Sequence, residues 1–161
     1  MGGANMSTQN IKPKFGTPAA LTITLASLAS STAGVGRQST LVDNSTTRYD
    51  LIRLFLKITT GTSPTAGKTI YIYAIRGDGT RRDDGAGASD AALTRVAATL
   101  LGTIAVDATS DKSYQKSLLL PYPGPEWGIL VVHDTTVNLN ATGGNHHIYW
   151  VGEYMEAADA A

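Results

Sequence analysis

No cysteine occurs among the 161 residues, which excludes disulfide frameworks, thiolate nucleophiles and Cys-ligated zinc together. Charge is also scarce. Charged residues make up 16% of the chain, against roughly 25% in an average soluble domain. The 13 Lys and Arg residues balance 13 Asp and Glu, leaving a formal net charge of +0. No net field therefore draws the chain to nucleic acid or to an anionic membrane, and neither partner is expected. Long apolar runs are missing too: nothing approaches the ~20 residues of a membrane helix. The N-terminus lacks the basic region and apolar core of a signal peptide, and Met6 stands where a myristoylation motif wants Ser or Thr. What is abundant is Ala, Thr, Gly and Ser, a polar but weakly charged surface that suits a protein living in an assembly.

The clearest pattern lies between Asp50 and Arg76. Ile52, Leu54, Leu56 and Ile58 share one face of an alternating run, while Leu51, Arg53, Phe55, Lys57 and Thr59 point the other way. A second run sets Ile70, Ile72 and Ala74 against Tyr71, Tyr73 and Ile75. Each run carries one apolar stripe and one mixed stripe, as in a sheet packed on a second sheet, with water or a neighbouring subunit beyond. With Gly61 to Lys68 between them, the two read as a long β-hairpin.

The rest of the chain follows the same style. Residues 1–16 are polar and aperiodic, read as a flexible N-terminal arm able to order in an assembly. Leu21, Ile23 and Leu25 alternate as a first strand that runs toward Leu28, and Val35 to Val42 forms a second. Gly77 to Asp90, dense in Gly, Asp and Arg, is a loop, and residues 89–101 allow one short helix. Leu101–Val106 with Ser113–Leu120 reads as a second hairpin, and Gly128–Asp134 with His146–Glu156 as a third. Pro121, Pro123 and Pro125 mark a rigid connection. The sum is a single all-β domain, residues 17–156, a β-sandwich of jelly-roll type with about eight strands, followed by a tail at 157–161.

Each motif that suggests chemistry has a plainer reading. Gly67-Lys68-Thr69 resembles the end of a phosphate-binding loop, but the first glycine is misplaced and a strand, not a helix, follows. Arg76-Gly77-Asp78 fits a tight turn at a strand exit. Asp78, Asp83, Asp84 and Asp90 share one loop, yet their spacing is not that of an EF-hand and Arg81 and Arg82 interleave with them. His146 and His147 are adjacent, point to opposite faces of a strand and so cannot both ligate one ion; one of them with His133 and either Asp134 or Glu153 is the conceivable ligand set, and satisfied surface histidines at strand ends are the plainer reading. No glycine-flanked nucleophile elbow occurs. No catalytic residue, metal site or cofactor is expected. Aromatics gather in Tyr114, Tyr122, Trp127, Tyr149, Trp150 and Tyr154, either as packing at a core or interface or as a platform for sugar rings.

From Leu101 the order of features becomes specific: Leu101-Gly102-Thr103-Ile104-Ala105-Val106, a polar turn, Leu118-Leu119-Leu120-Pro121, then Pro125-Glu126-Trp127-Gly128-Ile129-Leu130-Val131-Val132. With Ala20 to Leu25 and Gly67 to Ala74, this resembles the small jelly-roll virion proteins of tailed bacteriophages. It departs from them at His133-Asp134-Thr135-Thr136, where the family's turn carries Asn and Gly. The resemblance implies a non-enzymatic capsid decoration protein on the outside of the major capsid lattice, with the major capsid protein or other virion proteins as partners. It also implies a homo-oligomer, with a trimer as one form. A tail, baseplate or head-fibre component is the alternative within the virion, and a carbohydrate-binding β-sandwich module the alternative outside it. The candidate partner-binding residues are Ile11, Lys12, Lys14 and Phe15 of the arm, Tyr71 and Tyr73 on the mixed stripe, and Trp150.

Overall fold

A computed structural model describes residues 11–157. Along them run β1 (Ile11–Phe15), β2 (Ala19–Ala20), β3 (Val35–Gln38), β4 (Val42–Asp43), β5 (Leu51–Thr59) and β6 (Thr69–Gly77). They are followed by β7 (Ala91–Thr94), β8 (Thr99–Ala105), β9 (Ser113–Pro121), β10 (Glu126–His133) and β11 (His147–Ala157). Two 3-10 turns, Asp83–Gly85 and Gly143–Asn145, are the only helical geometry among the described residues.

The strands form two antiparallel sheets. The front sheet has the order β1-β11-β5-β9, with β2 also on β11; the back sheet has the order β7-β3-β10-β6-β8, with β4 also on β10. Take β1 with β2 and β3 with β4 as single strands and set β7 aside as an addition at one edge. The eight principal strands then run first, eighth, third, sixth in front and second, seventh, fourth, fifth behind, which is jelly-roll winding. The β-sandwich expectation holds.

Between the sheets lies the main core. Ile52, Leu54, Leu56 and Ile58 of β5 are sealed there with Ile70, Ile72 and Ala74 of β6 and Trp127, Ile129 and Val131 of β10. Both stripes read from the alternation are therefore the buried ones. Trp127 is fully buried and meets Trp150 edge to face, with ring centroids 5.2 Å apart at 86°, the arrangement that aromatic quadrupoles favour.

Three expected hairpins are not hairpins. β5 pairs with β11 and β9, whereas β6 pairs with β10 and β8. The link at 60–68 thus arches from front sheet to back sheet. Segments 106–112 and 134–146 do the same for β8 to β9 and β10 to β11. Alternation and turn chemistry are identical for an arch and a hairpin: each strand's apolar stripe faces inward either way. The lengths of these links favour the arch, since tight hairpins use loops of about two to five residues.

Other expectations are corrected locally. No helix forms at 89–101. β7 and the start of β8 occupy that span, joined by a turn in which Asp84 accepts hydrogen bonds from the N–H groups of Val96, Ala97 and Ala98 at 3.0, 2.5 and 3.1 Å. Val96, which a helix would bury, is 75% exposed. Of the first predicted strand only its starting residue, Ala20, joins a ladder, together with Ala19 before it. Beyond it Leu21 N–H donates to Ile148 in the front sheet, and Thr22 C=O accepts from Thr40 next to the back sheet. That segment crosses the open side of the sandwich, burying Leu21 and Leu25 on the way. The flexible-arm expectation is corrected for Ile11–Phe15, which form β1 against the end of β11. Residues 1–10 of that arm and residues 158–161 of the tail lie outside the described residues; Ala157, expected in the tail, is the last residue of β11 and pairs with Ile11.

Candidate partner-binding face

The two sheets present different outer faces. On the back sheet, Ile75, Leu130 and Val132 point away from the core yet are buried, because Ala86, Leu41 and Leu93 cover them. The segment after β6 is bound down to do this. Gln38, almost fully buried, donates from Nε2 to Gly87 O and Ser89 O at 2.7 and 2.6 Å, and its Oε1 accepts from Gly87 N–H at 3.2 Å. Arg82 grips Glu126 with two bonds of 2.7 and 3.0 Å. Asp90 pairs with Arg37 and accepts from Thr24 Oγ1 at 2.5 Å. Burial pushes the carboxyls of Asp84 and Asp90 upward, but their donors outweigh it and hold both below the usual carboxylate range.

These carboxylates are thus engaged internally. Asp78 accepts from Thr80 and Arg81 N–H groups, and Asp83 from Arg76 N–H. Among the described residues no three His, Cys, Asp or Glu side chains come together as a metal site would need. Of the Arg76-Gly77-Asp78 tripeptide, Arg76 holds the carbonyls of Pro121 and Tyr122 at 3.2 Å each and Asp78 closes its own turn.

Among the described residues the front sheet has no such cover. Its outward row on β5 is Leu51, Arg53, Phe55 and Lys57; cross-strand neighbours are Tyr149 opposite Phe55, Val151 opposite Arg53 and Leu119 opposite Arg53 on the other side. Phe55, Leu119 and Tyr149 are 41%, 48% and 48% exposed. One ion pair crosses this field, Arg53 to Glu153 at 2.7 Å, while Lys57 at the end of the row makes no ion pair among the described residues. Beyond the first residue of β5, β11 continues with only β1 beside it, making a two-stranded ribbon. Ile11, Pro13 and Phe15 lie opposite Ala157, Met155 and Glu153 on its outward side and extend the apolar field, while Lys12 and Lys14 lie opposite Glu156 and Tyr154 on the other side. Lys14 bonds Glu156 at 2.6 Å, which raises the lysine pKa.

Edge geometry decides how this ribbon can be used. Gly16 N–H donates to Gly152 C=O at 2.8 Å, so in β1 the even residues bond inward and Ile11, Pro13 and Phe15 turn their backbone groups to the free edge. Pro13 therefore places its missing donor on that edge, the position that discourages addition of another strand. Contacts through side chains on the face remain open.

The sequence-named residues divide between four places. Ile11 and Phe15 belong to the front face, and Lys12 and Lys14 to the inner side of the ribbon. Tyr71 and Tyr73 stand together on the back sheet's outer face, rings stacked at 6.3 Å with Arg95 5.1 Å from the Tyr73 centroid. Trp150 is corrected outright: it faces inward, against Trp127 and Tyr49, at the rim of the core. Its neighbour Tyr149 is the exposed one. Sequence reasoning missed Phe55, Leu119 and Met155, and weighed Tyr149 only within the aromatic group. The signal for Phe55 was its place on the mixed stripe.

At the far end of the sandwich His133 and His146 act as internal ties. His133 Nε2 lies 3.0 Å from Leu28 O and its Nδ1 2.9 Å from Thr135 Oγ1. His146 Nδ1 accepts from Thr59 N–H at 3.4 Å, which leaves Nε2 to donate to Asn140 O at 2.9 Å and fixes the neutral tautomer. Burial lowers the pKa of both. No protein-family model matches the chain, and no curated protein matches it.

Proposed function

We propose that this chain is a virion structural protein of a tailed bacteriophage, a decoration protein that sits on the outside of the major capsid lattice without catalysing a reaction. The observation that carries the reading is the apolar field of the front sheet and its ribbon, left uncovered among the described residues while the other sheet is covered. Three strands about 4.8 Å apart and some 30 Å long, extended by the short β1, span on the order of 500 Å², a substantial part of the roughly 800 Å² per partner of a standard protein interface. The jelly-roll winding and the likeness to small phage virion proteins support the same reading, although fold alone does not assign function. Balanced charge makes such an attachment adhesive rather than electrostatically steered. Many copies, each an oligomer, hold through multivalency.

Immunogold labelling of phage particles with an antibody against the purified protein tests this. Gold over the heads is expected. Gold confined to tails moves the same fold to a tail or baseplate role, and unlabelled particles contradict a virion location.

A further inference from the structure

At the end of the sandwich that carries the ribbon, segments 44–50 and 121–125 face each other across an open cleft of about 520 Å³, within the roughly 300–1,000 Å³ typical of small-ligand sites. Its walls include Arg48, Tyr49, Asp50, Tyr122, Pro123 and Pro125. The cleft is built, not incidental. The buried Asn44 carboxamide clamps both walls: Nδ2 donates to Tyr49 O at 3.1 Å and Gly124 O at 2.9 Å, and Oδ1 accepts from Tyr49 N–H at 2.8 Å. Tyr122 N–H donates to Asp50 O at 2.8 Å, and Arg76 holds the Tyr122 carbonyl from behind. Tyr49 is wedged over two glycines. A Cβ at Gly152 would stand 2.2 Å from its ring, and one at Gly16 2.3 Å from its hydroxyl.

Each wall holds a non-glycine residue in the left-handed region, Arg48 at φ 54° and Tyr122 at φ 49°. Glycine or asparagine would make such a turn with less strain. A bulky aromatic side chain there is a local cost that other contacts must sustain, and such outliers cluster at binding sites. Tyr122 is moreover 81% exposed, so its ring contributes little to packing. Among the described residues the Asp50 carboxylate and the Arg48 Nη groups have no hydrogen-bond partner, and one positive and one negative group favour neither ligand sign. An exposed aromatic face beside a guanidinium and a carboxylate matches one chemistry well: a ring with apolar C–H faces and a rim of hydroxyls.

We propose that this cleft binds a saccharide, with a sugar ring stacked on Tyr122 and its hydroxyls held by Arg48 and Asp50. The cleft opens at the end of the sandwich, so a chain seated by its front sheet still presents it to a cell-surface polysaccharide.

The test uses the full chain against immobilised oligosaccharides from bacterial lipopolysaccharide and capsular polysaccharide, followed by saturation-transfer NMR on the bound sugar. The expected result is binding that falls at least tenfold in Tyr122→Ala and several-fold in Asp50→Asn and Arg48→Gln. Tyr122→Gly separates ring from fold: it relieves the left-handed strain, so its melting temperature stays level or rises while binding is lost. The proposal is overturned if no saccharide binds at millimolar concentration, or if binding survives Tyr122→Gly. It is likewise overturned if a proline-rich peptide, not a sugar, is what binds in a Tyr122-dependent way.

Discussion

The two outer faces of this sandwich begin from the same kind of sequence and end differently. β5 and β6 each carry an apolar inner stripe and a mixed outer one. Over β6 and β10 the chain returns, and residues between Gly77 and Asp90 close on Ile75, Leu130 and Val132 through Ala86, fastened by Gln38, Arg82 and Asp90. Over β5 none of the described residues returns, and Phe55, Leu119 and Tyr149 stay near half exposure. Among the described residues one sheet is covered by a loop and the other is bare, so the bare sheet is where a partner belongs. Contiguous exposed apolar patches of this kind mark interaction sites more often than scattered apolar residues do.

The largest expected contrast is between a charge under the cover and a charge on the bare face. Ala86→Asp should cost about 3 kcal/mol or more, since it buries an unpaired carboxylate. Leu119→Asp should stay within about 0.5 kcal/mol. Urea denaturation measures both, and equal costs would erase the distinction. Next, Gln38→Ala should destabilise by roughly 2 kcal/mol, because it strips three hydrogen bonds from the cover and leaves backbone groups of Gly87 and Ser89 short of partners. Amide exchange should then speed up across 86–90 before it does elsewhere.

Deleting Met1 to Phe15 removes β1, all of whose residues are exposed. Attachment to particles should weaken about tenfold, or ~1.4 kcal/mol, with the melting temperature nearly unchanged. Unaltered attachment would take the ribbon out of the contact surface. The smallest effect concerns pH and belongs to the core end, away from either face. His133 and His146 have folded pKa values below the ordinary value near 6.5. They bind fewer protons folded than unfolded, so their contribution is complete above about pH 6.5 and is lost as pH falls through the folded values. Thermal scans from pH 7 to 5 should show a gradual fall. Asp84 and Asp90, with lowered pKa values, hold their contribution until pH drops below the carboxylate range near 4.

Much of this architecture was legible before any coordinates. The two stripes of β5 and β6, the inward side of each and the sandwich itself follow from period-two alternation, which local sterics enforce. Strand partnership does not, because side chains at Ile52 or Ile72 specify a face and not a neighbour. That is why three arches read as hairpins. The turn at 95–98 was illegible for a related reason. It is made by Asp84, a carboxylate from a different segment, and nothing in Val96-Ala97-Ala98 announces that contact. On the site, Ile11 and Phe15 were found from their position in the arm. Phe55, Leu119 and Tyr149 become a face only once β9, β5 and β11 are side by side. Trp150 was misplaced because adjacent strand residues alternate, and the sequence does not say which of Tyr149 and Trp150 turns inward.

The most direct test is co-sedimentation with phage particles of two paired variants, Phe55→Asp with Leu119→Asp on the front sheet and Tyr71→Asp with Tyr73→Asp on the back sheet. The account predicts that the front-sheet pair loses binding at least about thirtyfold, or ~2 kcal/mol, while the back-sheet pair stays within about threefold of the unaltered protein. Loss of binding in the back-sheet pair alone, or full binding by the front-sheet pair, would contradict it.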